Sequence, residues 1–341
     1  MLFKIDTGSK EPLYKQLILQ IDRALHDGRL HAGEQIPSMN ELAAHLGISK
    51  ETVKKAYGIL VERGIIIPRH GKGFFAANLQ DNPHPHILVI FDKLSVYKQT
   101  LFASFTQRLG NQAEITILLH NQSLDLLEYY LDQNLDQFDY YVVTPHFPLD
   151  EASQARAVKL LGRIPNRKLI MLDRLLPGYQ GHFGAVYQDF ENDIYDGLLQ
   201  GLDHRPKEGC LRVITLPSSL YGAYIRQGIT RFAKDYDVSV EFLTEAPETI
   251  GKGDTFLVLN SQLDAGLVQL ARSIRAARLK VGQDVRIISY NDIELNEVVL
   301  DGLTTVSTDF QEMGNQAAEM ILSRRLEKIH CPFRMIIRST F

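Results

Sequence analysis

The 341-residue chain has no tryptophan and only two cysteines. Cys210 and Cys331 lie far apart and beside predicted strands, which argues against a disulfide scaffold and for buried, reduced thiols. Without tryptophan, any ring stacking on a ligand falls to Phe and Tyr. No apolar run approaches the roughly 18 residues of a membrane helix. The opening MLFKIDTGSKEPLYKQ lacks the apolar core of a secretory signal, so a cytoplasmic location is expected. Catalytic signatures are missing too. Gly71-Lys72 has Ile66 where a phosphate-binding loop needs glycine, no G-x-G-x-x-G follows a strand, and H-E-x-x-H, C-x-x-C and G-x-S-x-G do not occur. No catalytic residue, cofactor or metal is therefore expected. His84 and His86 flank Pro85, but two ligands without a partner cluster make a weak metal motif. A strong net charge is also lacking, at −4, yet the charge is uneven. Residues 1–76 carry eleven Lys and Arg against eight Asp and Glu, and the remainder carries 26 against 33. A basic head on an acidic body is the asymmetry of a nucleic-acid-binding head.

What is present is concentrated in Ile36–Phe75. Ser38 followed by Glu41 forms a capping box after Pro37, which starts a helix. Leu42, Ala43 and Leu46 share one face of it, and Gly47 stops it. Ser49 caps the next helix, where Val53, Ala56, Tyr57 and Leu60 form the apolar stripe and Lys50, Lys54 and Lys55 the opposite face. Ile65–Ile67 and Phe74-Phe75 then flank a basic tip of Arg69, His70, Gly71, Lys72 and Gly73. Upstream, Pro12 opens a helix with Leu13, Leu17, Ile18, Ile21 and Leu25 buried, ending at Gly28, and residues 1–10 form an extended arm. A helix with a basic amino-terminal half suits a DNA major groove, and the tip suits a wing over the backbone.

From Pro12 to Phe75 the chain resembles the winged helix-turn-helix of the GntR regulators. The resemblance rests on Pro12-Leu13-Tyr14, Asp27 to Leu30, Gly33 to Ser38, Glu41-Leu42-Ala43, Gly47 to Lys50, Thr52-Val53-Lys54 and Gly71-Lys72-Gly73. It implies contacts to double-stranded operator DNA, and the full set expected here is Ser38, Asn40, Ser49, Lys50, Thr52, Lys54, Lys55, Arg69, His70, Gly71 and Lys72. Met39-Asn40 stands where that family usually has Glu-Arg, so one cationic contact is missing.

Residues 78–86, with two prolines, read as a linker between a head (1–77) and a body (87–341). In the body, apolar runs alternate with helical stretches. The runs are 87–91, 115–119, 140–143, 169–172, 185–187, 211–216, 238–243, 256–259, 285–290 and 303–306; the helices are 98–110, 122–134, 150–161, 190–202, 221–235, 262–277 and 310–326. This alternation predicts an α/β body with parallel sheets, and its length predicts two lobes with a ligand site at the strand ends between them. The body resembles the effector domain of the LacI/GalR regulators, itself similar to periplasmic sugar-binding proteins. The pieces are Ile170–Arg174, Val186–Asp189, Tyr224–Gly228, Val285–Asp292, Leu303–Val306 and Glu312-Met313-Gly314. A GntR head on such a body resembles the arabinose-repressor type of sugar regulator.

Sugar sites need side chains that form paired hydrogen bonds, plus an aromatic face. The resemblance implies that Arg226 clamps ligand hydroxyls, and that Asn291, at a strand end where the family usually has aspartate, keeps the hydrogen bonds without the charge. Asp189 reads as a helix cap or a cleft residue, and Phe190 as a stacking ring or as packing. Arg174, Asp92, Tyr97 and His146 are candidates by position after strands, with Lys93, Thr144 and Phe147 beside them. Asp292 is expected to cap a turn. These readings give a homodimeric, sugar-responsive repressor whose DNA affinity responds to a monosaccharide between the lobes. A regulator responding to a sugar phosphate, nucleobase or other metabolite is the alternative, and a sugar-processing α/β enzyme a more distant one.

Overall fold

The structure, a computed structural model, describes the chain except residues 1, 2, 7, 10, 27, 32, 63, 64, 70, 77–83, 136, 205–208, 216–218 and 260–264. The head consists of α1 (Leu13–His26), β1 (Gln35–Ile36), α2 (Met39–Leu46), α3 (Lys50–Glu62), β2 (Ile66–Arg69) and β3 (Gly73–Ala76). Ser38 and Glu41 form the reciprocal capping box, and Gly47 closes α2 in the left-handed conformation at φ 66°. The Ser49 hydroxyl accepts from the Thr52 amide at 3.1 Å, as a cap for α3 should. Leu17, Ile18, Ile21, Leu42, Val53, Ala56, Tyr57 and Leu60 meet in one core. The strand β1 was not expected, since two residues are too few to show a period. It pairs with β3 and completes a three-stranded antiparallel sheet in the order β1-β3-β2. The arm is held on α1: Lys4 N donates to Gln20 Oε1 at 2.6 Å and Asp6 N to Gln16 Oε1 at 3.0 Å.

The body opens with β4 (His86–Phe91), α4 (Val96–Leu109), β5 (Glu114–Leu119), α5 (Leu124–Asn134), β6 (Tyr140–Val143), α6 (Glu151–Leu161), β7 (Leu169–Asp173) and β8 (Gly184–Tyr187). It continues with α7 (Phe190–Gln200), β9 (Leu211–Ile214), α8 (Gly222–Asp235), β10 (Val240–Leu243), β11 (Thr255–Val258), α9 (Ala265–Ala276), β12 (Arg286–Tyr290) and β13 (Thr304–Thr308). It ends with α10 (Phe310–Ser323), β14 (Lys328–His330) and β15 (Phe333–Ile336). The first lobe is a parallel sheet in the order β14-β8-β7-β6-β4-β5. The second is β10-β9-β11-β12-β13-β15, parallel except where β15 runs against β13. Each sheet has a separate apolar cluster on each face, the burial that parallel sheets require.

Every helix and strand read from the body sequence is present with ends moved by a few residues. The first strand starts one residue inside the expected linker, at His86, because His86 N is held by Asp139 at 2.9 Å. Residues 78–83 of that linker lie outside the described residues. The last two strands were not read, being short and following the final helix. They matter, because β14 belongs to the first sheet and β15 to the second. The chain thus crosses between lobes three times: after β8, after β13 and between β14 and β15. Two helix pairs meet closely. A Cβ on Gly314 of α10 would sit 2.2 Å from Leu101 O of α4, and one on Gly228 of α8 would sit 2.1 Å from Glu191 O of α7. Only glycine permits these approaches. Both cysteines are free thiols; Cys331 is buried as expected, whereas Cys210 is half-buried.

Candidate functional site

Four neighbouring strands of the first lobe bring polar groups to their carboxyl ends. Asp92 follows β4, Thr144 and His146 follow β6, Asp173 ends β7, and Gln188 follows β8. Lys98, in the first turn of α4, is buried among them and pairs with Asp92 and, at 3.4 Å, with Asp173. Asp92 also accepts from the Thr144 hydroxyl at 3.1 Å, while its own amide donates to that oxygen at 2.9 Å. Asp173, whose backbone is left-handed at φ 71°, takes a hydrogen bond from Gln188 and has His146 Nε2 2.8 Å away. The His146 nitrogen touches this carboxylate but is out of line for a hydrogen bond.

Burial and charge compete in this cluster. Burial alone would raise both aspartates; the cationic Lys98, with the hydrogen bonds that Asp92 takes from it and Asp173 takes from Gln188, more than offsets this and holds both carboxyls below their ordinary values. His146 moves the other way. Burial and the neighbouring Lys98 depress it, so it is a neutral imidazole at neutral pH. His120, behind the cluster, is brought down to about 4 by burial. Its Nε2 lies 2.9 Å from Thr144 O, and its Nδ1 accepts from the Gln122 amide, the pattern of a neutral ring.

The second lobe answers with aromatic surface. Tyr221, at the start of α8, stacks flat on Phe190 at 4.4 Å and 5° between planes. The His146 ring meets Tyr221 edge-on at 5.1 Å, and the Arg174 guanidinium lies 5.1 Å from its centre. A first-lobe histidine and arginine thus converge on a second-lobe tyrosine. Five buried polar atoms here or at adjoining strand ends have no hydrogen-bond partner among the described residues: His146 Nε2, Arg174 Nη1, Tyr221 OH, Tyr290 OH and Asn291 Oδ1. Unpaired buried polar atoms are costly, and a hydroxylated ligand is one way to satisfy them. Asn291 sits left-handed at φ 69° past the end of β12, a conformation that asparagine tolerates better than most residues.

The structure therefore brings together Asp92, His146, Arg174 and Phe190, and it puts Asn291 at a strand end of the facing lobe. Three other expected residues go elsewhere. Tyr97 packs inside the first lobe, stacked on Phe310 at 5.3 Å. Asp189 is a cap, with one carboxylate oxygen on the Asn192 amide and the other on its side chain. Arg226 is exposed, its guanidinium 3.9 Å from the Phe242 ring, in a shallow depression with Ala223, Gln227, Thr230 and Lys234. Among the described residues it shows no contact with the cluster: Tyr221 precedes α8, whereas Arg226 lies one turn inside the helix on its exposed side. Of the neighbours, Lys93 is exposed and Phe147 is buried beside His120. Asp292, expected to cap a turn, instead grips Arg338 with two hydrogen bonds of 2.9 Å and accepts from the Thr305 and Asn296 side chains. Sequence reading missed Lys98, Tyr221 and Gln188. Lys98 interrupts the apolar face of its helix, which is the signal that could have found it.

On the head, Ser38, Asn40, Ser49, Lys50, Lys54, Arg69, Gly71 and Lys72 are exposed and Thr52 is half-buried. Lys54 pairs loosely with Glu51 at 3.6 Å, both in solvent. Lys55 lies over the Tyr14 ring at 4.0 Å, toward α1, and Arg69 over Phe75 at 4.5 Å. His70 lies outside the described residues. The frame of this surface is firm: Tyr57 OH donates to Pro37 O at 2.7 Å, and its ring meets Phe74 edge-on.

Residues 13–76 match the family described as bacterial regulatory proteins, gntR family, and residues 224–340 match a periplasmic binding protein-like domain. Curated relatives include the HTH-type transcriptional regulator TreR of Bacillus subtilis, 31% identical over 135 residues, covering 38% of this chain and 50% of that protein. The ribose operon repressor of Lactococcus lactis is 24% identical over 127 residues, covering 35% and 39%. The chain spans between 14% and 57% of the length of the curated relatives it matches. Among solved structures, the trehalose repressor from Escherichia coli superposes with a TM-score of 0.59 at 15% identity, covering 74% of this chain and 99% of that one. The Lac repressor bound to ONPG gives 0.57 at 16% identity, covering 90% and 100%; at such identities the likeness concerns the fold. The chain joins a helix-turn-helix head of the GntR type to a two-lobed α/β body that carries a periplasmic binding protein-like domain and shares its fold with the Lac repressor.

Proposed function

We propose that this protein is a transcriptional regulator, a repressor, which binds a two-fold operator as a homodimer and responds to a monosaccharide held between its lobes. The observation that carries the sugar part is the cluster around Tyr221. Two cations, Lys98 and Arg174, stand against two carboxylates, Asp92 and Asp173, beside an aromatic deck and unpartnered hydrogen-bonding atoms. A charge-balanced, ring-lined cleft suits a neutral polyhydroxylated ring better than a sugar phosphate. A relative named for ribose repression and a structural neighbour named for trehalose repression support a sugar in general.

The head, residues 1–77, would meet DNA through Ser38, Asn40, Ser49, Lys50, Thr52, Lys54, Arg69, Gly71 and Lys72, with Lys55 at the margin. Residues 78–86 connect it to the body, whose own ordered strand begins at His86. The sugar acts by binding one arrangement of the lobes better than another. The regulatory reading needs no catalysis. Calorimetry across pentoses, hexoses and deoxyhexoses, with the matching phosphates as a second series, tests the ligand. Binding of a neutral sugar and not its phosphate is expected, and the absence of any neutral-sugar binding would remove the sugar from the proposal.

A further inference from the structure

The head and body meet through a buried charge. Asp22, on the flank of α1, is only 4% exposed. Two cations of the first lobe reach it. Lys168 Nζ lies 3.1 Å from Asp22 Oδ2, and the Arg167 guanidinium donates to Asp22 O at 3.4 Å. Lys168 is itself 8% exposed and also donates to Phe138 O at 3.3 Å. Arg167 and Lys168 belong to a short turn, Asn166–Lys168, that leads directly into β7. Its position connects this contact to the cleft. At the amino end of β7 the lobe holds the head through Lys168; at the carboxyl end Asp173 is held by Lys98 and Gln188. Five residues of extended chain span roughly 16 Å. The strand lies inside the sheet, bonded to β6 on one side and β8 on the other, so it cannot bend independently of the lobe.

We propose that the first lobe carries the head as a rigid extension, docked by Asp22 on Lys168 and Arg167 at the amino end of β7. Domains joined by a linker ordinarily move against each other. A desolvated ion pair opposes this, since breaking it leaves a buried charge without its partner. Lobe closure around the cleft would then turn the head with the first lobe, and no signal would need to pass through the linker.

The test uses neither DNA nor sugar, so its failure is separate from failure of the regulator reading. Spin labels are placed at His45→Cys on α2 and Glu151→Cys on α6, both exposed positions, in a Cys210→Ser background. Labelled chain is diluted in unlabelled chain, and distances are measured by pulsed electron resonance. One narrow distribution is expected, unchanged between about 0.1 and 0.5 M salt because buried pairs are little screened. Asp22→Lys and Lys168→Asp should each broaden it about twofold or more, the combined reversal should narrow it again, and the milder Asp22→Asn should broaden it with circular dichroism unaltered. A broad distribution in the parent chain would overturn the proposal. So would a narrow one that survives Asp22→Asn and both single reversals, or a combined reversal that restores nothing.

Discussion

Tyr221 and Phe190 lie with their rings parallel, 4.4 Å apart and 5° from coplanar. One ring starts α8 and the other starts α7, and together they present an aromatic face to His146 and Arg174 of the opposite lobe. If this deck receives a sugar ring, Tyr221→Ala should weaken monosaccharide binding by about tenfold or more, equivalent to about 1.4 kcal/mol. Tyr221→Phe should keep the stacking and lose only the hydroxyl's share. Calorimetry reads both; unchanged affinity in the alanine variant would take Tyr221 out of the site.

Arg226 gives the contrary prediction. The resemblance of the sequence implies a ligand clamp, whereas the structure lays its guanidinium on Phe242, in solvent. Arg226→Ala should leave sugar affinity within about twofold of the parent, the change expected of a surface substitution. A large loss would show that α8 presents a different face when ligand is bound.

Lys98 is the cation shared by Asp92 and Asp173. Lys98→Met strands two buried carboxylates and should cost about 3–5 kcal/mol in chemical unfolding. Adding Asp173→Asn to that variant should recover part of the loss. A double variant as unstable as the single one would argue that packing, not charge, is at stake.

His120 sets a pH dependence. Its folded-state value of about 4 lies below the ordinary 6.5 because burial penalises the imidazolium. The unfolded chain therefore takes the proton first. This contribution is fully present above about pH 6.5 and fades as the pH falls toward 4, for a loss of about 2–3 kcal/mol. Urea unfolding of His120→Gln beside the parent, at about pH 7 and pH 4.5, should show a flatter acid limb in the variant. Asp193 acts in the opposite sense, since burial raises it to about 6 although His330 lies 2.7 Å away. The His120 effect is thus read from the difference between variant and parent.

In the head, Tyr57→Phe removes the bond to Pro37 O and should cost about 1 kcal/mol. Lys54→Ala, at an exposed position, should leave stability almost unchanged, weaken operator binding and lower the salt slope by about one. An unaltered salt slope would place Lys54 off the phosphates.

Most of the fold was legible because each element carried its own period and its own stops. The Ser38 and Glu41 box, Gly47 and the stripe Val53-Ala56-Tyr57-Leu60 define the head locally. The strand–helix alternation from β4 to α10 predicts the two sheets in the same way. β1, β14 and β15 escaped because two to four residues hold no period, and their partners are distant in sequence.

The cleft was only half legible for a related reason. Position after a strand singled out Asp92, His146, Arg174 and Asn291, because parallel strands deliver their carboxyl ends to one rim. Position could not separate Asp189, whose oxygens cap its own helix, from a ligand contact, nor Tyr97 in the core from Tyr221 in the cleft. By itself the sequence determined the identity of both parts and the order of their elements, since caps, glycines and apolar periods act over a few residues. Tertiary structure alone decided that Lys98 joins Asp92 to Asp173, that Arg226 faces away, and that Asp22 reaches Lys168. Those depend on how helices rotate and sheets stack, and such choices are made by contacts between residues scores of positions apart.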